Sequence, residues 1–253
     1  MLVDTHCHLD FPEFDQDRDQ VIERAKEAGF SYLINIASSA KGCRETLNLA
    51  RAYDLIYAAI GIHPHEADNV TEDDRNLLRE LAKVNKVVAI GETGLDYYRN
   101  FSTPTAQKTL FEFTLSLAKE LNKPLVLHCR QAEEDLWQML KKILPLSAVV
   151  HCFSGSKDFL ETCLNAGFFI SYTCNITYKK AEALRDLVRI TPLDRLMLET
   201  DAPYLSPEGR RGKRNEPFYV RELAEYVAKL KNISFEEVAE ATTANAKRFF
   251  HLP

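Results

Sequence analysis

Near its first residue the sequence reads Leu2-Val3-Asp4-Thr5-His6-Cys7-His8, a short run that opens on apolar residues and ends in two histidines. Alternate side chains of a β-strand point to the same face, so this spacing predicts that His6 and His8 lie together and can reach one divalent ion. An isolated pair also has an ordinary structural explanation, because histidines satisfy hydrogen bonds in cores and turns. The choice between a metal site and a structural pair therefore depends on the rest of the chain.

Apolar, β-branched runs recur along the chain and predict eight strands separated by helix-period segments. The strand runs are apolar throughout, which indicates burial on both faces. This alternation predicts an α/β protein, a single (β/α)8 TIM barrel covering residues 1–253, with a metal site at the C-terminal mouth of the strands. The predicted strands are Leu2–His6, Tyr32–Ile36, Ile56–Gly61, Val87–Gly91, Leu125–His128, Ala148–His151, Phe168–Ser171 and Leu196–Glu199.

The segments between the strands carry apolar residues at the three- and four-residue spacing of helices. Predicted helices include Asp19–Ala28, Ala106–Leu121, Glu134–Leu144 and Lys179–Val188. A long loop with several basic residues is expected at Pro203–Pro217, followed by the eighth helix, Val220–Leu230. The pattern at Ser234–Glu237 resembles a capping box that opens a last helix through Phe249, for which we expect a structural role.

Four later strands also lead into a residue that can bind a metal ion. These residues are Glu92 after Gly91, His128 after Leu127, His151 after Val150 and Asp201 after Thr200. In a β/α barrel the carboxyl ends of the strands surround one mouth, so these side chains are expected to converge there with His6 and His8. Coordination of a metal ion would offset the free-energy cost of burying these polar side chains. The alternative is that they satisfy one another in a ring of histidine–carboxylate hydrogen bonds without metal. The set predicts two divalent metal ions that share a bridge, with Mg, Mn and Zn all compatible.

Charge, hydropathy and cysteine content restrict the classes of protein to which this sequence can belong. A net charge of -5 and a pI near 5.9 argue against binding of nucleic acid on a broad basic surface, although a local basic patch stays compatible. No apolar run approaches the ~18 residues of a membrane span, and no secretory signal precedes the first strand, so we expect a soluble, cytoplasmic protein without membrane contact. The six cysteines are expected to be reduced. Cys7, Cys129 and Cys152 each follow a histidine, and strand alternation predicts that they face outward and pack against barrel helices.

Motifs spread over nearly the whole chain form a specific combination. They are Val3–His8, Gly61–His65, Ile90–Asp96, Leu127–Arg130, His151–Gly155, Leu198–Leu205 and Arg214–Pro217. With these motifs the chain resembles the TatD family of metal-dependent deoxyribonucleases in the amidohydrolase superfamily. The resemblance implies the barrel fold, a two-metal site and hydrolysis of DNA.

The resemblance also implies a ligand set in which two groups of side chains hold one ion each and a carboxylate bridges them. The first group is His6, His8 and Asp201, the second is His128 and His151, and the bridge is Glu92. Many relatives in the wider superfamily use a carboxylated lysine as the bridge, so a plain carboxylate needs no modification. One departure from the family pattern is Tyr172–Asn175, where a small, Gly-containing turn is usual, and Cys174 is expected to alter pocket shape or metal preference.

The chemistry expected at such a site is activation of water by two ions, which lower its pKa, hold a phosphodiester oxygen and stabilise the charge of the transition state. Asp201 and Glu92 are the candidate catalytic carboxylates. Asp201 would orient or deprotonate the water, although a purely structural ligand role fits the sequence equally well. His63 is assigned either a phosphate contact or a packing or supporting role. Glu199 and Asp96 are expected to brace the site or its loops.

Further side chains flank the predicted mouth. Arg130, beside His128 in sequence, is a candidate substrate contact. The basic run Arg210–Arg214 is either a phosphate contact or a solvated stretch of loop. Tyr97, Tyr98 and Tyr204 would stack on the bases of frayed ends or single strands, or would pack under loops.

The leading functional hypothesis is a deoxyribonuclease that hydrolyses phosphodiester bonds in the manner of a 3′-5′ exonuclease, with DNA ends or single strands as substrate. The ligand ring alone does not distinguish DNA from other substrates. The first alternative is therefore a hydrolase of a small ester, lactone or amide, or of an aminoacyl-tRNA ester. The second, from a different class, is a non-catalytic metal-bearing module that binds nucleic acid, against which the intact Glu92 and Asp201 speak. No obligate protein partner is evident from the sequence.

Overall fold

The computed structural model describes residues 1–99 and 101–253. Eight parallel strands form one sheet, and each strand pairs with its successor in the chain. The strands are β1 Leu2–Cys7, β2 Phe30–Ile36, β3 Ile56–Ile60, β4 Val87–Asp96, β5 Leu125–Arg130, β6 Ala148–Val150, β7 Phe169–Tyr172 and β8 Leu196–Leu198. The α-helices of the described residues are α1 Arg18–Glu27, α2 Ala40–Ala52, α3 Glu72–Leu81, α4 Pro104–Leu121, α5 Glu133–Leu140, α6 Lys157–Asn165, α7 Glu182–Ile190, α8 Val220–Lys231 and α9 Phe235–Phe250.

Backbone hydrogen bonds between β1 with the residue after it and the segment just after β8 join the first and last strands of the sheet. The backbone N–H of Asp201 donates to the carbonyl of His6 at 2.9 Å, and the N–H of His8 donates to the carbonyl of Ala202 at 2.8 Å. The sheet therefore curls round into a barrel with helices on its outside. This confirms the predicted (β/α)8 architecture and fixes His6 directly beside Asp201.

The apolar core lies in two layers, one inside the barrel and one between the strands and the outer helices. Inside, strand residues such as Ile34, Ala59 and Val126 are buried together with Phe249 and Phe250 of α9. The Asn245 amide of α9 also donates to the backbone around the start of β8. Helix α9 thus covers the end of the barrel opposite the mouth, which confirms the structural role expected of it.

Local sequence signals explain where several helices begin and end. The Thr103 side chain accepts a hydrogen bond at the start of α4, where Pro104 occupies the first turn. Ser234 and Glu237 form the capping box that the sequence predicts for α9. Asn122 ends α4 in the left-handed conformation. Of the helices in the two described ranges, none is both long and apolar enough to cross a membrane.

Strand β4 departs furthest from its predicted bounds. The sequence predicts its end at Gly91, but it continues to Asp96 because residues 93–96 pair with the second half of β5. The glycines within this run made the prediction stop too early. As a result, Glu92 lies inside a strand rather than after one.

Two helices are shorter than predicted. Helix α5 ends at Leu140 instead of Leu144, where the approach to Pro145 disfavours helical backbone. Helix α7 begins at Glu182 instead of Lys179, because the chain before it forms a turn in which the Ala181 N–H donates to the Tyr178 carbonyl at 3.0 Å. The Arg185 guanidinium donates to the same carbonyl at 2.8 Å.

Gly94 permits the close approach of β4 to β5 at the site. Its φ is +140°, and a Cβ built on it would lie 2.0 Å from the carbonyl oxygen of His128. We expect Gly94→Ala to destabilise the protein by about 2 to 4 kcal/mol through backbone strain and displacement of β5. Urea unfolding measures this, with Gly209→Ala as the control, since a Cβ at Gly209 meets nothing within 4 Å. Equal unfolding midpoints for the two variants would contradict the prediction.

Candidate metal centre

Histidines and carboxylates converge at the mouth of the barrel. The chain has 7 histidines, and contacts between rings link all but the one near its C-terminus. The linked histidines are His6, His8, His63, His65, His128 and His151. Glu92 and Asp201 lie among them, so the structure brings together every residue that the sequence predicts as a metal ligand.

Glu92 occupies the centre of this cluster and is 4% exposed. Its Oε1 lies 2.7 Å from His128 Nδ1 and 2.7 Å from His151 Nε2. Its Oε2 lies 3.5 Å from His6 Nε2 and 4.0 Å from His8 Nε2. The two oxygens of one carboxylate thus face two separate pairs of histidines, which is the geometry that a bridging ligand needs.

Asp201 lies on the side of His6 and His8. Its Oδ1 is 3.3 Å from His8 Nε2 and 3.7 Å from His6 Nε2. The Asp201 side chain is 16% exposed and that of Glu92 is 5% exposed. The φ of Asp201 is +56°, in the left-handed region that Asp and Asn enter more readily than other non-glycine residues. Asp201 is therefore the carboxylate of this pair that is more open to the mouth.

His63 lies inside the cluster rather than at its edge. Its Nε2 is 3.4 Å from Glu92 Oε1 and 3.4 Å from His128 Nδ1. The ligand atoms of these residues lie within 4.8 Å of one another, so the group can hold a metal ion. His63 does not belong to the ligand set that the family resemblance implies, and the sequence predicts for it a phosphate contact or a packing or supporting role.

Several histidines at the centre are held by acceptors on their outer nitrogen. The pairs are His8 Nδ1 with the Ile36 carbonyl (2.7 Å), His128 Nε2 with Asp96 Oδ2 (3.0 Å) and His151 Nδ1 with Glu199 Oε1 (3.3 Å). In a neutral imidazole, a proton on the outer nitrogen leaves a lone pair on the inner one. The inner nitrogens of His128 and His151 are only 3.2 Å apart, and a cation between them would remove the repulsion. The donor set therefore fits divalent cations, and the expected bracing roles of Asp96 and Glu199 are confirmed for the histidines they contact.

Burial and charge shift the pKa values at the centre in opposite directions. Burial alone would raise the pKa of Glu92, but His151 and His63 outweigh it and hold that pKa well below its usual range. Burial also opposes ionisation of Asp201, whose pKa is nevertheless lowered by the hydrogen bond from His8. Burial would lower the pKa of His8, but Asp201 raises it to about 9. Both carboxylates are thus ionised, and their charge attracts cations to the mouth.

Asp4 supports the site and was not singled out by the sequence analysis. It is fully buried, and its carboxylate accepts from the N–H of His6 at 3.2 Å and from the N–H of Thr200 at 3.0 Å. Burial raises the pKa of Asp4 to about 8. Asp4 thereby ties the strand that carries His6 to the segment that carries Asp201. The available signal was a carboxylate inside an apolar strand, which requires buried partners.

The predicted substrate contacts have different surroundings. Arg130 ends β5, and its guanidinium carbon lies 4.0 Å from the ring centre of Tyr98. Arg214, at the end of the basic run, donates to both carboxylate oxygens of Asp17 at 2.6 and 2.7 Å and to Glu216 at 3.1 Å. Arg214 therefore links its loop to the start of α1, and its guanidinium donates its hydrogen bonds to those carboxylates rather than pointing freely towards a substrate.

The cysteines beside the histidines follow the prediction in two cases. Cys7 and Cys129 pack in the outer core, as the strand alternation predicts. For Cys152 the prediction is wrong, because the chain turns into the left-handed region there, with a φ of +44°. Its Sγ lies 3.7 Å from Thr173 Oγ1 and 3.9 Å from Asn175 Nδ2, so it faces the loop after β7.

Cys174, in the segment that departs from the family pattern, points away from the mouth. Its side chain is fully buried in the outer core, and its Sγ lies 3.7 Å from the carbonyl of Tyr219. Burial raises the pKa of this thiol. The expectation that Cys174 shapes the pocket is therefore wrong, because the side chain packs under the start of α8.

Asp96 is a positioning residue whose removal should weaken metal binding. Its Oδ2 accepts from His128 Nε2 at 3.0 Å and from His65 Nε2 at 2.9 Å. Because such partners orient the ring and raise its basicity, we expect Asp96→Asn to weaken metal affinity by about 10- to 100-fold. Metal titration followed by calorimetry measures this, with Asp68→Asn as the control, since Asp68 contacts Thr103 instead of a histidine. Unchanged affinity in Asp96→Asn would contradict the role.

Comparison with known proteins decides the family. The family model described as TatD related DNase matches residues 3–251. The chain belongs to the TatD related DNase family. This membership confirms the resemblance that the motifs carry and the expectation of a metal-dependent hydrolase of this type.

Individual relatives of the TatD family match over 98% or more of their length. The chain is 42% identical over 254 residues to the metal-dependent hydrolase YabD of Bacillus subtilis, covering 100% of each chain. It is 41% identical to the 3′-5′ ssDNA/RNA exonuclease TatD of Erwinia tasmaniensis, covering 99% of this chain and 100% of that one. The crystal structure of YJJV, a TatD homologue of Escherichia coli, superposes with a TM-score of 0.94 at 34% identity, covering 100% of this chain and 98% of that one.

Proposed function

We propose that this chain is a deoxyribonuclease that uses two divalent metal ions to hydrolyse phosphodiester bonds at 3′ ends of DNA. The observation that carries the proposal is the position of Glu92, whose two oxygens face different pairs of histidines. Two ions held about 4 Å apart suit in-line displacement at phosphorus, since both the attacking and the leaving oxygen can be stabilised. The name of the Erwinia tasmaniensis relative, an exonuclease on single-stranded DNA and RNA, supports the choice of substrate.

The proposal assigns each side chain at the centre to an ion. One ion would be held by His6, His8 and Asp201 and the other by His128 and His151, and Glu92 would contribute one oxygen to each. His63, whose ligand atom lies within 4.8 Å of those of Glu92 and His128, would serve as a further ligand of the second ion or contact a phosphate oxygen. Mg, Mn and Zn all suit a set of imidazoles and carboxylates.

The bound ions would lower the pKa of water and polarise the phosphodiester. Asp201 orients the attacking water and accepts its proton on Oδ2, while Oδ1 stays beside His8. Glu92 remains ionised throughout, because its histidine neighbours hold its pKa low. Arg130, 4.0 Å from the ring of Tyr98, is placed to contact a phosphate next to the one that reacts.

A substrate comparison tests the proposed activity. Metal-stripped protein is incubated with 5′-labelled single- and double-stranded DNA, with Mg, Mn or Zn added back, beside a panel of lactones, cyclic amides and an aminoacyl-tRNA. We expect the label to shorten stepwise from the 3′ end only when metal is restored, and single strands to react faster. Turnover of a small ester or amide with intact DNA under every metal would overturn the proposal.

A further inference from the structure

We infer that two aromatic faces, on opposite sides of the candidate metal centre, stack the unpaired bases on either side of the scissile phosphate. The first face consists of Tyr98 and Phe101, after β4, and the second of Phe11 and Tyr204, after β1 and β8. The inference rests on the proposed function and specifies which side chains contact the two nucleotides that the scissile phosphate joins.

The exposure of three of these four rings is the first observation. Phe101 is 64% exposed, and Tyr98 and Tyr204 are each 50% exposed. Large aromatic rings that are left this open contribute little to the core, and aromatic side chains at a mouth are typical of binding sites. Tyr97, which the sequence also suggested for stacking, differs from them because its hydroxyl donates to Asp135 at 2.8 Å and the ring is partly buried.

The first face is fixed to the side of the centre that carries His128. Asp96 accepts from the backbone N–H of Tyr98 at 2.9 Å through Oδ1 and from His128 at 3.0 Å through Oδ2. The ring of Phe101 meets that of His65 edge-on at 4.9 Å between centroids. One carboxylate thus sets the position of Tyr98 relative to the candidate ligand.

The second face is fixed to the other side of the centre. The ring of Phe11 stacks on that of His8 at 4.7 Å, with 18° between their planes. Tyr204 meets Phe11 edge-on at 6.2 Å, and its backbone N–H donates to the carbonyl of Asp201 at 2.9 Å. Since His8 and His128 lie on opposite sides of Glu92, the two faces flank the place where a phosphate would react.

Charge identifies the occupant as nucleic acid rather than an apolar ligand. The Arg130 guanidinium lies 4.0 Å from the centre of the Tyr98 ring, and that of Arg99 lies at 5.6 Å. Proteins that bind single strands without sequence preference combine aromatic side chains, which stack on the bases, with positive charges, which contact the phosphate backbone. The bases of a duplex are already stacked on each other, so an unpaired end fits these faces better.

Abasic substrates test the inference with the metal-loaded enzyme. The substrates are 5′-labelled single-stranded DNA, intact or lacking the base of either the terminal or the penultimate nucleotide. For the wild type, we expect removal of either base to lower kcat/KM about tenfold, the scale of one stacked base. On intact DNA, the kcat/KM of the double variant Tyr98→Ala/Phe101→Ala and that of Tyr204→Ala should each fall about tenfold below the wild-type value. On the abasic substrate that lacks the base stacked by the missing rings, each variant should nearly match the wild type. That substrate should be a different one for each variant.

The control variant is Ile190→Ala, which removes a side chain of similar exposure, 48%, at the end of α7. It should behave as the wild type does on all substrates. If the kcat/KM of each aromatic variant falls by the same factor on intact DNA and on both abasic substrates, the rings serve only to maintain the structure of the protein, and the inference is overturned. Wild-type enzyme that cuts intact and abasic DNA equally well overturns the inference alone, whereas wild type that cuts neither overturns the proposed function with it.

Discussion

Glu92→Gln is expected to lower the rate of DNA cleavage at least about a thousandfold at any concentration of metal, the scale of removing a main electrostatic contribution to catalysis. The carboxylate contacts two pairs of histidines through two different oxygens, the shorter contacts being 2.7 Å to His128 and to His151. A glutamine side chain has one oxygen, and its NH2 group would face one of the pairs. It also lacks the negative charge that offsets two divalent ions. We therefore expect at least one ion to be lost.

The measurements for this variant are single-turnover cleavage of labelled DNA and metal content after dialysis. Glu66→Gln is the matched control, because Glu66 is exposed in the turn after β3. It should retain wild-type activity and metal. Glu92→Gln that holds two ions and cleaves DNA at the wild-type rate would show that the carboxylate is no bridge.

Asp201→Asn is expected to lower kcat by about 100- to 10,000-fold, the usual range for loss of a group that transfers a proton. Asparagine tolerates the left-handed backbone at this position, where φ is +56°, as well as aspartate does. The amide can still present an oxygen towards His8, which lies 3.3 Å from Asp201 Oδ1. The variant therefore removes the basic carboxylate while keeping the shape of the site.

The metal dependence of Asp201→Asn separates two roles that the sequence left open. If Asp201 accepts a proton from water, the low rate should persist when metal is saturating. If Asp201 serves only as a ligand, activity should return towards the wild-type value as metal concentration rises. Asp158→Asn offers a control, since Asp158 is exposed in the first turn of α6.

The sequence predicts the barrel and its mouth because both depend on simple periodicities. Apolar strand runs have to be buried on two faces, and in parallel strands their carboxyl ends meet at one rim. His6 and Glu92 are far apart in sequence, yet this rule is sufficient to place them together. In the structure His6 Nε2 lies 3.5 Å from Glu92 Oε2. The candidate ligands could thus be named from the sequence alone.

Other features depend on tertiary contacts that periodicity does not encode. Strand β4 passes through Gly91 and Gly94, and its pairing with β5 is interrupted after Ile90 and resumes at Thr93. The turn that reorients Cys152 is a single residue in the left-handed region, which breaks strand alternation. The inward position of His63 likewise results from the path of the loop after β3, and no local pattern sets that path.

The measurement that tests the account most directly is the number of metal ions bound per chain during cleavage of DNA. Metal-stripped enzyme is titrated with Mn, and bound metal and single-turnover cleavage of 5′-labelled single-stranded DNA are followed in the same samples. We expect little cleavage with one equivalent, a steep rise towards two equivalents, and products shortened from the 3′ end. Full activity at one equivalent, or intact DNA at two, would contradict it.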